Sequence, residues 1–230
     1  MMADDAFQEL RVGFTAAVSH ELRTPLARLL ALLESAELPG ANTRELLGQA
    51  RVEVQAMSEL VDDVLFLSEL ETGRAVVALG PTEITPIVDD VIESLRPAAE
   101  RAEIRLTTHV DEGLAIPVRP RMLRVVVENL VANAIRYGGD GINVDVSAHL
   151  DNHSVELTIA DDGVGVPADE VSRLFERFFR GDRARTTHGT GLGLAIVKHV
   201  VVAAGGAIEA NAGPKGKGLV VSCRFPLGYF

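Results

Sequence analysis

The sequence predicts an α+β chain in two parts, an N-terminal helical hairpin followed by an α/β sandwich. Three observations predict it. Apolar residues recur at three- and four-residue steps over the first part, that period is lost after Thr72-Gly73, and short segments of alternating type then run to the end. At 230 residues the chain exceeds one average domain, so two domains are expected, 1–72 and 73–230.

Over 7–36, Phe7, Leu10, Phe14, Ala17, Leu22, Leu26, Leu29, Leu30 and Leu33 mark one face of a long amphipathic helix. Leu38-Pro39-Gly40-Ala41-Asn42 breaks it, and Thr43 with Glu45 and Leu46 behind opens a second helix. That helix runs to about residue 71, with Leu46, Leu47, Ala50, Val54, Met57, Leu60, Val61, Val64 and Leu67 turned inward. A two-helix hairpin leaves half of its apolar stripe wet. Dimerisation into a four-helix bundle buries the remainder.

After the hairpin the pattern predicts strands at 76–79, 104–110, 142–150, 154–160, 207–210 and 219–225, and helices at 87–101, 121–136, 168–178 and 192–203. The formal charge of −11 argues against a nucleic-acid partner, which would call for a basic face. The single cysteine, Cys223, excludes an internal disulfide and a zinc cluster and reads as a small core residue in a reducing compartment. No apolar run approaches the roughly 18 residues that span a bilayer, and the first residues lack a basic-then-hydrophobic leader. The expectation is a soluble, cytoplasmic core that meets a membrane only through a sensor region ahead of it.

Four constellations carry chemistry. In the first helix stands Ser19-His20-Glu21-Leu22-Arg23-Thr24-Pro25-Leu26. A lone helical histidine is ordinarily a solvated polar residue, but Pro25 cannot donate to the Glu21 carbonyl, so a bend is expected one turn after His20. Glu21 can hold one imidazole nitrogen protonated and leave the other nucleophilic. In Glu128-Asn129-Leu130-Val131-Ala132-Asn133-Ala134 the two asparagines are four apart and share a helical face. They are either a structural hydrogen-bonding pair or oxygen donors for a Mg²⁺ that keeps most of its waters.

The third is Asp161-Asp162-Gly163-Val164-Gly165, directly after a predicted strand. It is either a plain turn or a carboxylate set to accept from an adenine amino group. Gly189-Thr190-Gly191-Leu192-Gly193-Leu194 opens the last helix, where glycines admit phosphates to free N–H groups and positive potential. It is not a dinucleotide fingerprint, because it follows a long polar loop and lacks the third glycine at the right offset.

The order of these segments, with Phe175-Glu176-Arg177-Phe178-Phe179-Arg180 between the third and fourth, closely resembles the histidine kinases of two-component systems. The first octapeptide is similar to their H-box, and the others to the N, G1, F and G2 boxes of their GHKL-type (Bergerat) ATP-binding domain. The resemblance covers essentially the whole chain from Phe7. It implies a dimeric phospho-acceptor hairpin, ATP and Mg²⁺ as cofactors, and a response regulator receiver domain as partner.

Carried over residue by residue, the resemblance makes His20 the phospho-acceptor and Glu21 its general base. Thr24 positions a water for removing phosphate from the regulator. Asn133, with Asn129 nearby, serves the metal. Asp161 reads adenine, Gly163 and Gly165 shape its pocket, and 181–188 forms a lid. Gly189, Thr190, Gly191, Leu192 and Gly193 border the phosphates, while Arg136, Tyr137, Arg177 and Arg180 supply basic or aromatic contacts. Two positions depart from the family pattern: Arg119 stands where a capping carboxylate is usual, and Leu219 where threonine is frequent. The remaining readings are a GHKL-type ATPase, disfavoured because Asn129 stands where those relatives carry a glutamate base, and a non-catalytic dimeric scaffold.

Overall fold

The computed structural model describes residues 2–71, 77–181, 189–213 and 216–227, with side chains from 15–70 and from 80 onward within those ranges. The chain divides into two compact units, one of Met1–Phe66 with His188–Thr190, the other of Leu67–Thr187 and Gly191–Phe230.

The first unit is the hairpin of α1 (Met2–Ala36) and most of α2 (Thr43–Glu71). Asn42 caps α2: its Oδ1 accepts from the Glu45 N–H at 3.4 Å, and its Nδ2 donates to Glu45 Oε2 at 2.9 Å, a reciprocal arrangement that satisfies the helix start. Leu46, Ala50, Glu53, Met57, Leu60 and Val64 form the better-covered stripe of α2, at alternating four- and three-residue steps. Leu47, Val54 and Val61, expected inward, remain 47%, 52% and 44% exposed. Glu53 occupies a core position at 8% exposure and faces Arg28 at 3.7 Å. Pro25 lies inside an unbroken α1, so the expected bend does not interrupt the helix. The last turn of α2 falls with the second unit, where Leu67 and Leu70 are 1% and 0% exposed.

The second unit is a two-layer sandwich. Its elements are β1 (Val77–Glu83), α3 (Ile84–Arg101), β2 (Arg105–Val110), β3 (Ala115–Val118), α4 (Pro120–Tyr137), β4 (Asn143–Asp151), β5 (Ser154–Asp161), α5 (Ala168–Val171), α6 (Gly193–Ala203), β6 (Ala207–Ala212) and β7 (Leu219–Pro226). The main sheet has the order β2-β4-β5-β7-β6, with β2 and β4 parallel and the other pairs antiparallel. Alternate residues of the central strands, Val144, Val146 and Ala148 on β4 and Val155, Leu157 and Ile159 on β5, are buried as period-two side chains should be. Helices α3, α4 and α6 supply the opposing apolar stripes. Cys223 is part of this core, and burial pushes its thiol up to about 12.

Three expectations are corrected. The strand β3 was not expected; it is short, contains Pro117, and is held by antiparallel pairing with β1 across a register shift. The helix expected at 168–178 ends at Val171 and continues as turns, with Phe178 left-handed at φ 61°. Helix α3 begins at Ile84, three residues before the expected start, because Pro86 fits a first turn whose N–H groups need no intrahelical partner. At α4, Arg119 occupies the cap position without a side-chain capping bond, and Pro120 takes the first helical position.

Candidate nucleotide-binding and phospho-acceptor sites

Helix α1 presents His20 to solvent, its side chain 76% exposed. Nδ1 lies 3.8 Å from Glu21 Oε1, an electrostatic approach too long for a hydrogen bond. Thr24 is one turn on, on the same face, and its hydroxyl is 3.5 Å from the His20 carbonyl, at the outer limit of a bond. The imidazole is therefore open to an incoming electrophile, with one carboxylate beside it.

In the second unit α4 carries Asn129 and Asn133 half-buried on one face, and helical spacing puts exposed Arg136 and half-buried Tyr137 on that face too. The two asparagines are not equivalent. Asn129 donates through Nδ2 to the Val125 carbonyl at 2.9 Å, and its Oδ1 fills the space a Cβ at Gly193 would need. Asn133 makes no side-chain hydrogen bond within the described residues. Its neutral amide oxygen therefore fits a Mg²⁺ ion whose other ligands are phosphate oxygens and water. Among the described residues no cluster of three His, Cys, Asp or Glu side chains is present that would favour another metal.

Asp161 closes β5 beside the end of α4. Its Oδ1 accepts from the Gly163 N–H at 3.0 Å. Burial raises the Asp161 carboxyl above the ordinary carboxylate range, the Gly163 and Leu219 amides oppose this, and the like charge of Asp162 adds to it. The loop is pinned by backbone contacts: Val164 N–H donates to the Gly138 carbonyl at 3.0 Å, and Gly163 packs so closely on Gly138 that a Cβ would collide with it. Asp162, exposed, accepts from Asn143 twice, from its backbone N–H and from Nδ2, both at 2.7 Å. Those bonds hold its carboxyl below the usual range.

Helix α6 begins at Gly193 with buried Leu192 at its cap. Leucine makes no side-chain capping bond to the first turn of the helix, the kind of helix start whose N–H groups favour an anion. Gly191 is left-handed at φ 68°, its carbonyl accepts from the Phe178 N–H at 2.9 Å, and a Cβ there would press on the Phe178 backbone. Arg173 stacks over the Phe179 ring at 4.4 Å, while Arg177 and Arg180 are half-buried on the same stretch. Gly189 and Thr190 fall with the first unit, and the Thr190 hydroxyl donates to Asp63 Oδ2 at 2.6 Å. Of the expected lid, 182–188 lies outside the described residues.

The structure thus brings Asn129 of α4 against Gly193 at the start of α6, and separately gathers Asp161, Gly163 and Gly165 of the loop after β5 with Gly138 and Gly218. Sequence reasoning missed Gly138, Asn143 and the backbone of Gly218 and Leu219. The string Gly138-Gly139 was a visible signal; a peptide N–H carries none.

The family model for the histidine kinase-, DNA gyrase B- and HSP90-like ATPase matches residues 118–229, and that for the His Kinase A (phospho-acceptor) domain matches 10–73. The solved structure of a mycobacterial sensor histidine kinase, MprB, is 32% identical, with TM-score 0.58, over 97% of that chain and 64% of this one. The chain belongs to the sensor histidine kinases. Full-length ShkA, solved in complex with AMPPNP, is 31% identical with TM-score 0.67, over 92% of this histidine kinase chain and 45% of that one. Sensor-like histidine kinase SenX3 of Mycolicibacterium smegmatis is 34% identical over 94% of this chain. The chain spans 57% of the length of that SenX3. No helix among the described residues is long and apolar enough to cross a membrane.

Proposed function

We propose that this chain is a kinase core in which ATP phosphorylates His20 and the phosphoryl group passes to an aspartate of a response regulator receiver domain. The observation that carries this reading is that one chain holds an open histidine beside Glu21 on α1 and candidate nucleotide-binding residues, most of which, including Asn133, Asp161 and Gly193, stand in the second unit. Domains 1–72 and 73–230 divide the labour: acceptor and dimerisation hairpin, then ATP binding.

Asp161 accepts from the adenine amino group, with Gly163 and Gly165 giving the ring room. The uncapped start of α6, with Gly189, Thr190, Gly191, Leu192 and Gly193, takes the phosphates. Arg136, Tyr137, Arg177 and Arg180 add charge and stacking around them. Asn133 would hold Mg²⁺, which neutralises charge on the phosphates when bound. Glu21 orients the His20 imidazole and accepts its proton. Asn129, committed to Val125 and Gly193, is a structural brace rather than a base, which counts against a water-activating ATPase.

Exposed Leu26, Leu30, Leu33, Leu47, Val54 and Val61 favour a homodimer with a four-helix bundle. Thr24 positions a water against the phosphorylated regulator. The core acts in the cytoplasm, where ATP and receiver domains are found.

Incubation with γ-labelled ATP tests the reading. Acid-labile label on the protein is expected, and His20→Gln removes it while leaving ATP affinity unchanged. Free phosphate without protein label would instead indicate an ATPase, and neither product a scaffold.

A further inference from the structure

The main sheet has a second face. Buried Val144, Val146 and Ala148 occupy one side of β4, so alternation sets Asp145, Ser147 and His149 on the other. Parallel pairing puts Thr107 of β2 opposite Asp145 and His109 opposite Ser147. The Thr107 hydroxyl donates to Asp145 Oδ1 at 2.8 Å, and His109 Nδ1 stands 2.6 Å from the same oxygen. The His109 side chain is nonetheless 72% exposed.

A carboxylate only accepts hydrogen bonds, so this geometry places the proton on Nδ1 and leaves the Nε2 lone pair to solvent. The same carboxylate balances the positive charge the ring acquires when Nε2 forms a bond. A nucleophile held by an orienting group, itself held by a third, is the arrangement that activates weak nucleophiles. Ser147 makes no hydrogen bond to the ring, so the nucleophile is the imidazole and not a serine hydroxyl. His20 Nδ1 is 3.8 Å from Glu21 and His149 Nε2 is 3.5 Å from Glu156, both longer than a good bond. Exposed His153 has no side-chain hydrogen bond among the described residues.

We propose that His109 is a second phospho-acceptor, taking a phosphoryl group on Nε2 from a phosphoramidate donor, with Asp145 and Thr107 as positioning residues. Nε2 attacks phosphorus and the P–N bond of the donor breaks. Its electron pair leaves with the donor nitrogen, which is protonated beforehand and departs neutral. The Nδ1 proton stays on the ring, bonded to Asp145. Phospho-His20 is a donor of this class, but the proposal stands without it, because inorganic phosphoramidate supplies the same group.

Reaction of the full chain with phosphoramidate, followed by mass-spectrometric mapping under alkaline conditions, gives a rate at each histidine. His109 is expected to react about tenfold faster than His153, the scale of one hydrogen bond to a charged group. Asp145→Ala should abolish that advantage while the His153 rate stays, and Asp145→Asn, which keeps an acceptor without the charge, should recover part of it. Thr107→Val should lower it by a smaller factor. In wild type, ¹⁵N spectra should show the neutral His109 ring protonated at Nδ1.

Equal rates at His109 and His153, an advantage that survives Asp145→Ala, or a ring protonated at Nε2 instead would each overturn the proposal. A parallel arm with γ-labelled ATP separates the sources. Label at His109 that His20→Gln abolishes assigns the donor to phospho-His20; its absence, with phosphoramidate labelling intact, assigns it to a small molecule. Since phosphoramidate bypasses ATP, failure of the kinase reading leaves the first arm unchanged.

Discussion

The two units share helices of similar apolar content but bury them differently. In the hairpin Leu26, Leu30, Leu33, Leu47, Val54 and Val61 are between 43% and 54% exposed, whereas in the sandwich Val88, Val91, Val126, Val131, Val197 and Val200 are at 0%. The sandwich has a sheet to press its helices against; the hairpin has one neighbouring helix. An amphipathic period states that a face must be buried and is silent about what buries it. The hairpin's stability is therefore expected to depend on concentration, and the sandwich's on its own core.

The sharpest way to break that contrast is Phe225→Ala. Phe225 is fully buried, and truncating such a residue costs about 3–5 kcal/mol. Chemical denaturation should show the sandwich transition moved down at every protein concentration, with the helical signal of the hairpin retained. A concentration-dependent midpoint for that transition would refute the self-contained core.

Leu30→Glu attacks the other side. Removing one leucine from a buried dimer seam forfeits about 1.5–3 kcal/mol in each chain, and a charge there repels its symmetry mate. Sedimentation equilibrium should report monomers, while ATP affinity stays at the wild-type value. A dimer that persists would place its interface elsewhere.

Within the sandwich, Asp161→Asn separates stability from function. The folded state raises this carboxyl's pKa. The group's contribution is thus full below the unfolded carboxylate range and lost as pH rises through the raised folded value. Burial disfavours the charged form, so asparagine should raise the apo melting temperature yet weaken ATP binding by about tenfold, the scale of one hydrogen bond to a charged group. A melting temperature that falls would show the carboxylate to be a net stabiliser.

The smallest expected effect concerns Asp162, whose folded pKa is lowered by Asn143. Its contribution is present above the unfolded carboxylate range and is lost as pH falls through the folded value, the opposite sign to Asp161. Thermal melts of wild type and Asp162→Asn should differ slightly at neutral pH and converge in acid. Because the group is exposed, the gap should also shrink in salt.

Much of this architecture was legible in the chain. The hairpin followed from a three-four period, a Pro-Gly break and a helix start at Thr43 with Glu45 behind it, all local signals. The helices and strands of the sandwich came out with boundaries a few residues off, since alternation and helical period survive even when ends fray. What escaped was held by distant partners. Strand β3 has four residues and a proline, and only its pairing with β1 makes it a strand. The helix expected to reach Phe178 stops early because the Phe178 N–H is taken by Gly191, thirteen residues on.

The sequence by itself determined the chemistry on offer: a histidine beside a glutamate ahead of a helical proline, two asparagines on one helical face, a carboxylate at a strand end, and glycines at a helix start. Those are properties of residue type and spacing, and physics assigns them before any long-range contact forms. Only the tertiary structure decided how each is used. It set the Asn129 amide on the Val125 carbonyl and against Gly193 while Asn133 makes no side-chain bond among the described residues, and it set the Gly163 amide on the half-buried Asp161 carboxylate. The reason is that hydrogen-bond partners and desolvation are set by what packs beside a group: Val125 and Gly163 are local neighbours, but Gly193 beside Asn129 and Gly138 beside Asp161 come from distant parts of the chain.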